Sequence, residues 1–231
     1  MKFLFSLITA IATMAGAANA APVLASTDFI LGGASDGANF TVGGVGFDMP
    51  GNNWPGAEGP EHLIDGVGQK YLNFFKENSG AVITPGSGSS VVTSLQLWTA
   101  NDEVPRDPAS YELYGTNDAI TAATTGDTID LSIFTLISSG PLALPDSRNF
   151  GGGAPLDDAN SQTVSFANMV AYTTYLILFP TLKDSPNANS VQIGELQLFT
   201  TDPNEVPLPA ALPLFLVGLA GLRFARRRKT A

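Results

Sequence analysis

Gly33-Ala34-Ser35-Asp36-Gly37 has the G-x-S-x-G spacing that presents a nucleophilic serine in many hydrolases. That chemistry needs a strand-to-helix elbow and a histidine late in the chain. The single histidine, His62, follows soon after, and no helical period follows Ser35, so the segment reads as a glycine-rich turn. There is no H-E-x-x-H, no phosphate-binding loop and no dinucleotide fingerprint. The lack of cysteine removes thiolate catalysis, disulfides and cysteine-held zinc or iron–sulfur centres. A glycosidase pair among the 21 acidic residues is defined by separation in space, and nothing in the sequence singles one out.

Binding chemistry has more to work with. Sugar recognition uses an aromatic face for stacking and planar hydrogen-bonding groups around it. The candidates are Trp54, His62, Asn101, Arg106 and Arg148. Trp54 sits in "PGNNWPGAEGP", a loop by every local sign, and is the stacking candidate. Trp98 lies within a strand and reads as core. Asn101 directly follows that strand and projects at a rim. Arg106, in "NDEVPRDP", either meets a ligand or holds its own loop through Asp102 or Asp107. The same choice applies to Arg148 in "LPDSRNF".

These residues are carried by short strands. "STDFIL", "ANFTVGGVGF", "GAVITP", "SSVVTSLQLWT", "ASYELYG", "SIFTLISSG", "QTVSFA", "TTYLILFP" and "SVQIGELQLF" are rich in Val, Ile, Thr, Phe or Tyr and bounded by Gly, Pro, Asn or Asp. In "SYELYG", Tyr111, Leu113 and Gly115 share one side, and Glu112 and Tyr114 the other. In the last segment Leu196 and Leu198 face one way, Glu195 and Gln197 the other. No long helical period interrupts the series. The expectation is an all-β protein, an antiparallel β-sandwich.

Composition agrees. Apolar residues make up 44% of the 231, enough for a core, and 24 Gly with 16 Pro imply many turns. Between residues 21 and 205, five basic side chains face 21 acidic ones, a net charge of −16. Such a body repels nucleic acid and anionic lipid and attracts divalent cations, or simply stays soluble after export. Without disulfides it must be held by its core or by a bound ion.

The two ends carry addresses. Lys2, the apolar run from Phe3 to Ala12 and Ala18-Asn19-Ala20 fit a signal peptide over residues 1–20, with Ala21 the first mature residue; the alternative is a buried N-terminal helix. Residues 21–205 form the domain. Residues 206–231 hold 17 uncharged residues up to Leu222, about 25 Å as a helix, then Arg223, Arg226, Arg227, Arg228 and Lys229, which stay on the cytoplasmic side. Val206-Pro207-Leu208-Pro209-Ala210, the apolar helix and the arginine-rich end together resemble the VPLPA variant of the PEP-CTERM sorting domain. The resemblance implies a Gram-negative bacterium, Sec export, transient retention in the inner membrane and processing by an exosortase near the motif. It also implies release or attachment outside, in association with extracellular polysaccharide. A permanent single-pass anchor is the rival reading.

The body carries a second resemblance. Asp65-Gly66, the run from Tyr111 to Asp118 and Ile193-Gly194-Glu195-Leu196-Gln197-Leu198 occur in the order seen in the discoidin, or coagulation factor type C, family. The resemblance covers Glu61 to Thr200 and implies a galactose-binding-like jelly roll. The tryptophan usual after Asp-Gly is replaced by Tyr71-Leu72-Asn73-Phe74, and Thr174 or Tyr175 stands where an arginine is common. It further implies a structural Ca2+ held by Asp65 and Glu195. Carbonyls of Val67 or Gln69, or His62, would complete the shell, although "GVGQKY" lacks the usual Ser/Thr ligand. Without an ion, Asp65 caps its own turn and Glu195 pairs with Lys70. The implied function is non-catalytic glycan binding; a structural or adhesive matrix role and a polysaccharide hydrolase are the alternatives.

Overall fold

The computed structural model describes residues 20–45 and 52–201. The expected sorting motif Val206 to Ala210, the basic cluster from Arg223 to Lys229 and the expected signal peptide lie outside these residues, except that Ala20 opens the first strand. In chain order the described strands are β1 (Ala20–Pro22), β2 (Phe29–Ser35), β3 (Asn39–Val42), β4 (Gly44–Val45), β5 (Asn52–Trp54), β6 (Tyr71–Asn73), β7 (Ser79–Thr84) and β8 (Val92–Trp98). They continue with β9 (Ser110–Thr116), β10 (Thr128–Asp130), β11 (Thr135–Pro141), β12 (Ser161–Ser165), β13 (Thr174–Phe179), β14 (Val191–Ile193) and β15 (Glu195–Thr201).

Seven strands form one antiparallel sheet in the order β10-β3-β2-β7-β13-β9-β11, and four form another in the order β1-β15-β8-β12. Two short pairs, β14-β6 and the parallel β4-β5, complete the set. This is the sandwich expected, and the compact unit runs from Ala21 to Thr200. The stretch before Glu61, which carried no family likeness, supplies β2 and β3 to the larger sheet.

Central strands show why the pattern reads as it does. Every residue of β13 is buried. Tyr175, Ile177 and Phe179 join Leu95, Leu97, Leu113 and Leu196 in the core. Leu176 and Leu178 belong to a second cluster with Phe40, Val82, Ile129 and Phe134. A strand covered on both faces becomes a continuous apolar run. Each such side chain contributes roughly 1.5–3 kcal/mol on burial. The second cover comes from residues 120–134, a stretch only partly readable as strand.

β9 alternates as expected, with Tyr111 and Leu113 buried and Glu112 and Tyr114 half-buried. The Ser35 segment is the β2–β3 turn: Asp36 Oδ1 accepts from Ala38 N (2.9 Å) and Asn39 N (2.7 Å), and Gly37 has φ of +94°. It leads from strand to strand, so the nucleophile elbow is absent there.

The segment "VQIGELQLF" is two strands rather than one. β14 pairs with β6, and β15 pairs with β8 from Glu195 opposite Trp98 to Thr200 opposite Val92. The break falls at Gly194, whose N–H donates to the Trp98 carbonyl (2.9 Å). Leu196 and Leu198 face the core as expected, but Glu195 on the other side is also buried, at 3% exposure.

Candidate functional site

One end of the sandwich gathers most of the predicted residues. The 3-10 turn Pro60–Leu63 leads into the loop 65–70. His62 Nδ1 lies 2.8 Å from Asp65 Oδ2, and Asp65 Oδ1 accepts from Val67 N at 2.9 Å, the turn-capping bond foreseen for it. Glu195, at the start of β15, accepts from Gly66 N at 3.0 Å. The loop is thereby stitched to the last strand, which brings the Asp65-Gly66 turn against Glu195.

Electrostatics at this stitch are unbalanced. Burial pushes Glu195 up to about 9, and the Asp65 charge adds to the rise against the Gly66 N–H. The pairing of Glu195 with Lys70 is not made. Lys70 Nζ goes to Asp102 Oδ2 (2.7 Å) and Glu58 Oε1 (3.5 Å), because the loop turns its side chain toward the 101–106 segment. Among the described residues no Lys or Arg pairs with Glu195.

A hard cation takes carboxylate and carbonyl oxygens together. Two carboxylates converge, and one is buried without a counter-charge. Among the described residues no cluster of three or more His, Asp or Glu forms, so carbonyls would have to complete any shell. His62, turned onto Asp65, orients that carboxylate.

Beside this stitch lies a rim pocket of about 160 Å³, lined by Glu58, Gly68, Gln69, Lys70, Asn101 and the Gly151-Gly152 pair. Asn101 is exposed at the rim, as its position after β8 predicted. Phe150, immediately before the glycines, is 77% exposed. The segment 150–154 meets the 65–70 loop: Gly68 N donates to Ala154 O (2.8 Å). A Cβ at Gly68 would lie only 1.9 Å from the Phe150 carbonyl oxygen. Glycine at 68 is therefore what lets the two loops meet.

One expectation needs correction. Trp54 is not an exposed platform: it ends β5, is 6% exposed and stands edge-on to Tyr71 at 5.8 Å. The Pro and Gly around it mark turns correctly, but the strand carries the indole over the core, where its area is worth most. Tyr71 is fully buried, donates to Gly80 O (3.1 Å) and accepts from Asn73 Nδ2 (2.7 Å), so it is part of the core. Trp54 also borders an open pocket of about 350 Å³ with Ile30, Leu31, Val42, Pro60 and Thr125. The side chains lining that pocket include no charged or amide group to orient a sugar.

Arg148 is structural. Its guanidinium makes two 2.7 Å contacts with Asp107, which is fully buried, and donates to Pro145 O (2.7 Å) and Asp102 O (3.2 Å). Arg106 holds its own loop, 3.7 Å from Asp102. Trp98 is core, as expected, with its indole N–H donating to Asp158 (3.2 Å).

Sequence reasoning missed Phe150. The signal was present: an aromatic followed by Gly151-Gly152-Gly153 has no strand to bury it.

No protein-family model matches the sequence, and no curated protein matches it. Solved structures do resemble the fold. A family 32 carbohydrate-binding module of Clostridium perfringens NanJ, solved with galactose, has a TM-score of 0.48 at 12% identity, covering 78% of this chain and 99% of that one. Another C. perfringens family 32 module, solved with GalNAc-β-1,3-galactose, gives 0.46 at 13% identity, covering 78% and 100%. An F5/8 type C domain from Bacteroides fragilis gives 0.49 at 11% identity, covering 79% and 97%. The chain is thus similar in architecture to family 32 carbohydrate-binding modules and F5/8 type C domains, as an all-β antiparallel sandwich.

Proposed function

We propose that the protein is a non-catalytic glycan-binding protein, exported and processed at its C-terminal sorting segment, whose sandwich holds one sugar unit at the rim pocket. The observation that carries this reading is Phe150, an aromatic residue left 77% exposed next in the chain to Gly151 and Gly152, which line a polar pocket. A sugar offers C–H faces to a ring and hydroxyls to planar groups. Asn101, Gln69 and Glu58 supply amide and carboxylate partners within that pocket. Its 160 Å³ is small beside the roughly 300–1,000 Å³ of sites that enclose drug-sized molecules. It suits one residue of a longer chain.

Calcium fits as a brace. Asp65 and Glu195, with carbonyls of the 65–70 loop, would hold it. The ion would supply positive charge that fixes the loop carrying Gly68, Gln69 and Lys70. No catalytic pair is assigned: Glu58 and Asp102 are both ion-paired to Lys70, and Asp65 and Glu195 lie in a stitch rather than across a cleft.

Export follows from the two ends: Sec delivery, transient retention in the inner membrane of a Gram-negative bacterium, exosortase processing near Val206 to Ala210 and a place at the cell surface or in an extracellular polysaccharide matrix. Mass spectrometry of the protein from an exosortase-bearing host should show Ala21 at the start and residues 206–231 removed.

The glycan reading is tested by binding to immobilised polysaccharides, with calcium and with chelator. Phe150→Ala should weaken binding roughly tenfold, since an aromatic face is worth about 0.5–1.5 kcal/mol beyond its area, while leaving Tm unchanged. Unchanged binding in the variant would move the site elsewhere. No binding by the parent would favour a structural matrix role.

A further inference from the structure

We infer that the rim pocket selects uncharged sugar and that the domain excludes acidic polysaccharide; this rests on the glycan-binding reading above. The argument is where the positive charge goes. Residues 21–205 contain five cations, and all five are committed within the fold. Lys70 lies 2.7 Å from Asp102 and 3.5 Å from Glu58. Arg106 lies 3.7 Å from Asp102. Arg148 grips Asp107 at 2.7 Å, and Lys183 sits between Asp107 (3.1 Å) and Asp146 (3.0 Å). Lys76 donates to the Ser185 carbonyl at 2.8 Å.

Carboxylate and sulfate groups on glycans are gripped by Arg forks or Lys ammonium groups. Here four of the five already face a carboxylate, and Lys76 donates to a carbonyl. Lys70, the one cation lining the pocket, already faces two carboxylates, so the pocket presents no net positive charge.

The acids are not offset in the same way. Asp36 and Asp130 are exposed and Asp127 is half-buried; all three accept backbone N–H groups, which hold their carboxyls below the usual range and keep them charged. The resulting field, from a net charge of −16, repels a polyanion before contact. The pocket groups fit hydroxyls better. Amides of Asn101 and Gln69 both donate and accept, and the Glu58 carboxylate accepts from a hydroxyl but repels another anion.

The test uses matched polysaccharide pairs with one backbone and two charge states: dextran and dextran sulfate, and methyl-esterified and de-esterified polygalacturonate. The full chain, with Arg223, Arg226, Arg227, Arg228 and Lys229 replaced by Gln so that only the charge of the domain is read, is passed in neutral detergent micelles over each at low and physiological salt, with empty micelles as blank and Phe150→Ala as control. The expected result is retention on at least one neutral member. Its acidic partner should be weaker by about tenfold or more at low salt, with the gap narrowing as salt screens the field. Phe150→Ala should lose the neutral retention. Equal or tighter binding of an acidic member, released by salt, would overturn the charge selection while leaving glycan binding intact. Retention on no member of any pair would overturn both.

Discussion

Replacing Arg148 by methionine distinguishes a buried clamp from a ligand contact. Asp107 is fully buried, and both its oxygens receive Arg148 at 2.7 Å. Methionine keeps much of the side-chain length and removes the charge. Breaking one side of a buried pair costs about 3–5 kcal/mol, chiefly because the remaining charge is stranded. Lys183 stays 3.1 Å from Asp107 and shares itself with Asp146, so the lower end, about 3 kcal/mol, is the expectation. The contacts of Arg148 to Pro145 and Asp102 carbonyls are lost as well. Equilibrium urea unfolding measures this as a lower midpoint at constant slope. The double change Arg148→Met with Asp107→Leu should recover most of the loss, since an apolar pair strands no carboxylate. A single-variant loss below about 1 kcal/mol, together with a large fall in glycan affinity, would refute the clamp and restore Arg148 as a ligand group.

Other outcomes follow from the same coordinates. Trp54→Ala should destabilise the fold by about 3–5 kcal/mol and leave glycan affinity near the parent value in the folded fraction, measured by unfolding and binding in parallel. Gly68→Ala should weaken glycan binding with little change of the core, because the new methyl drives the loop off Phe150; a crystal structure would show that displacement. Glu195, raised from 4.5 to about 9 in the fold, binds its proton more tightly folded than unfolded. In chelator, stability is therefore full below about pH 4.5 and is lost as pH rises toward 9, by up to roughly 1.4 kcal/mol per unit. Glu195→Gln should flatten that profile, and calcium, which needs the carboxylate, should restore more stability at pH 8 than at pH 5.

Some of this was legible in the residues and some was not. The alternation of Tyr111 and Leu113 with Glu112 and Tyr114 is a local pattern, and the sheet uses it directly. The Asp65–Glu195 meeting spans the length of the domain and was reachable only through family likeness, since no local spacing links positions so far apart. Glu195 looked like a solvent-facing residue because its neighbours alternate, yet the 65–70 loop closes over that face. Trp54 misled for the opposite reason: local turn chemistry says nothing about whether a short strand passes over the core. The division at Gly194 is equally hidden, because both halves of that segment are good strand sequence and only their pairing partners differ.

The register of β8 with β15 has a mechanical consequence. The two strands run antiparallel from Trp98–Glu195 at the pocket end to Val92–Thr200 at the far end. A bound polymer pulling on Asn101 loads β8 through its Trp98 end. A tether beyond Thr200 loads β15 through its opposite end. The two pulls are directed along the strands, so the hydrogen bonds between them bear the force together in shear rather than peeling one at a time. A domain that caught a chain at the pocket end and was held beyond Thr200 would thereby be loaded along its strands.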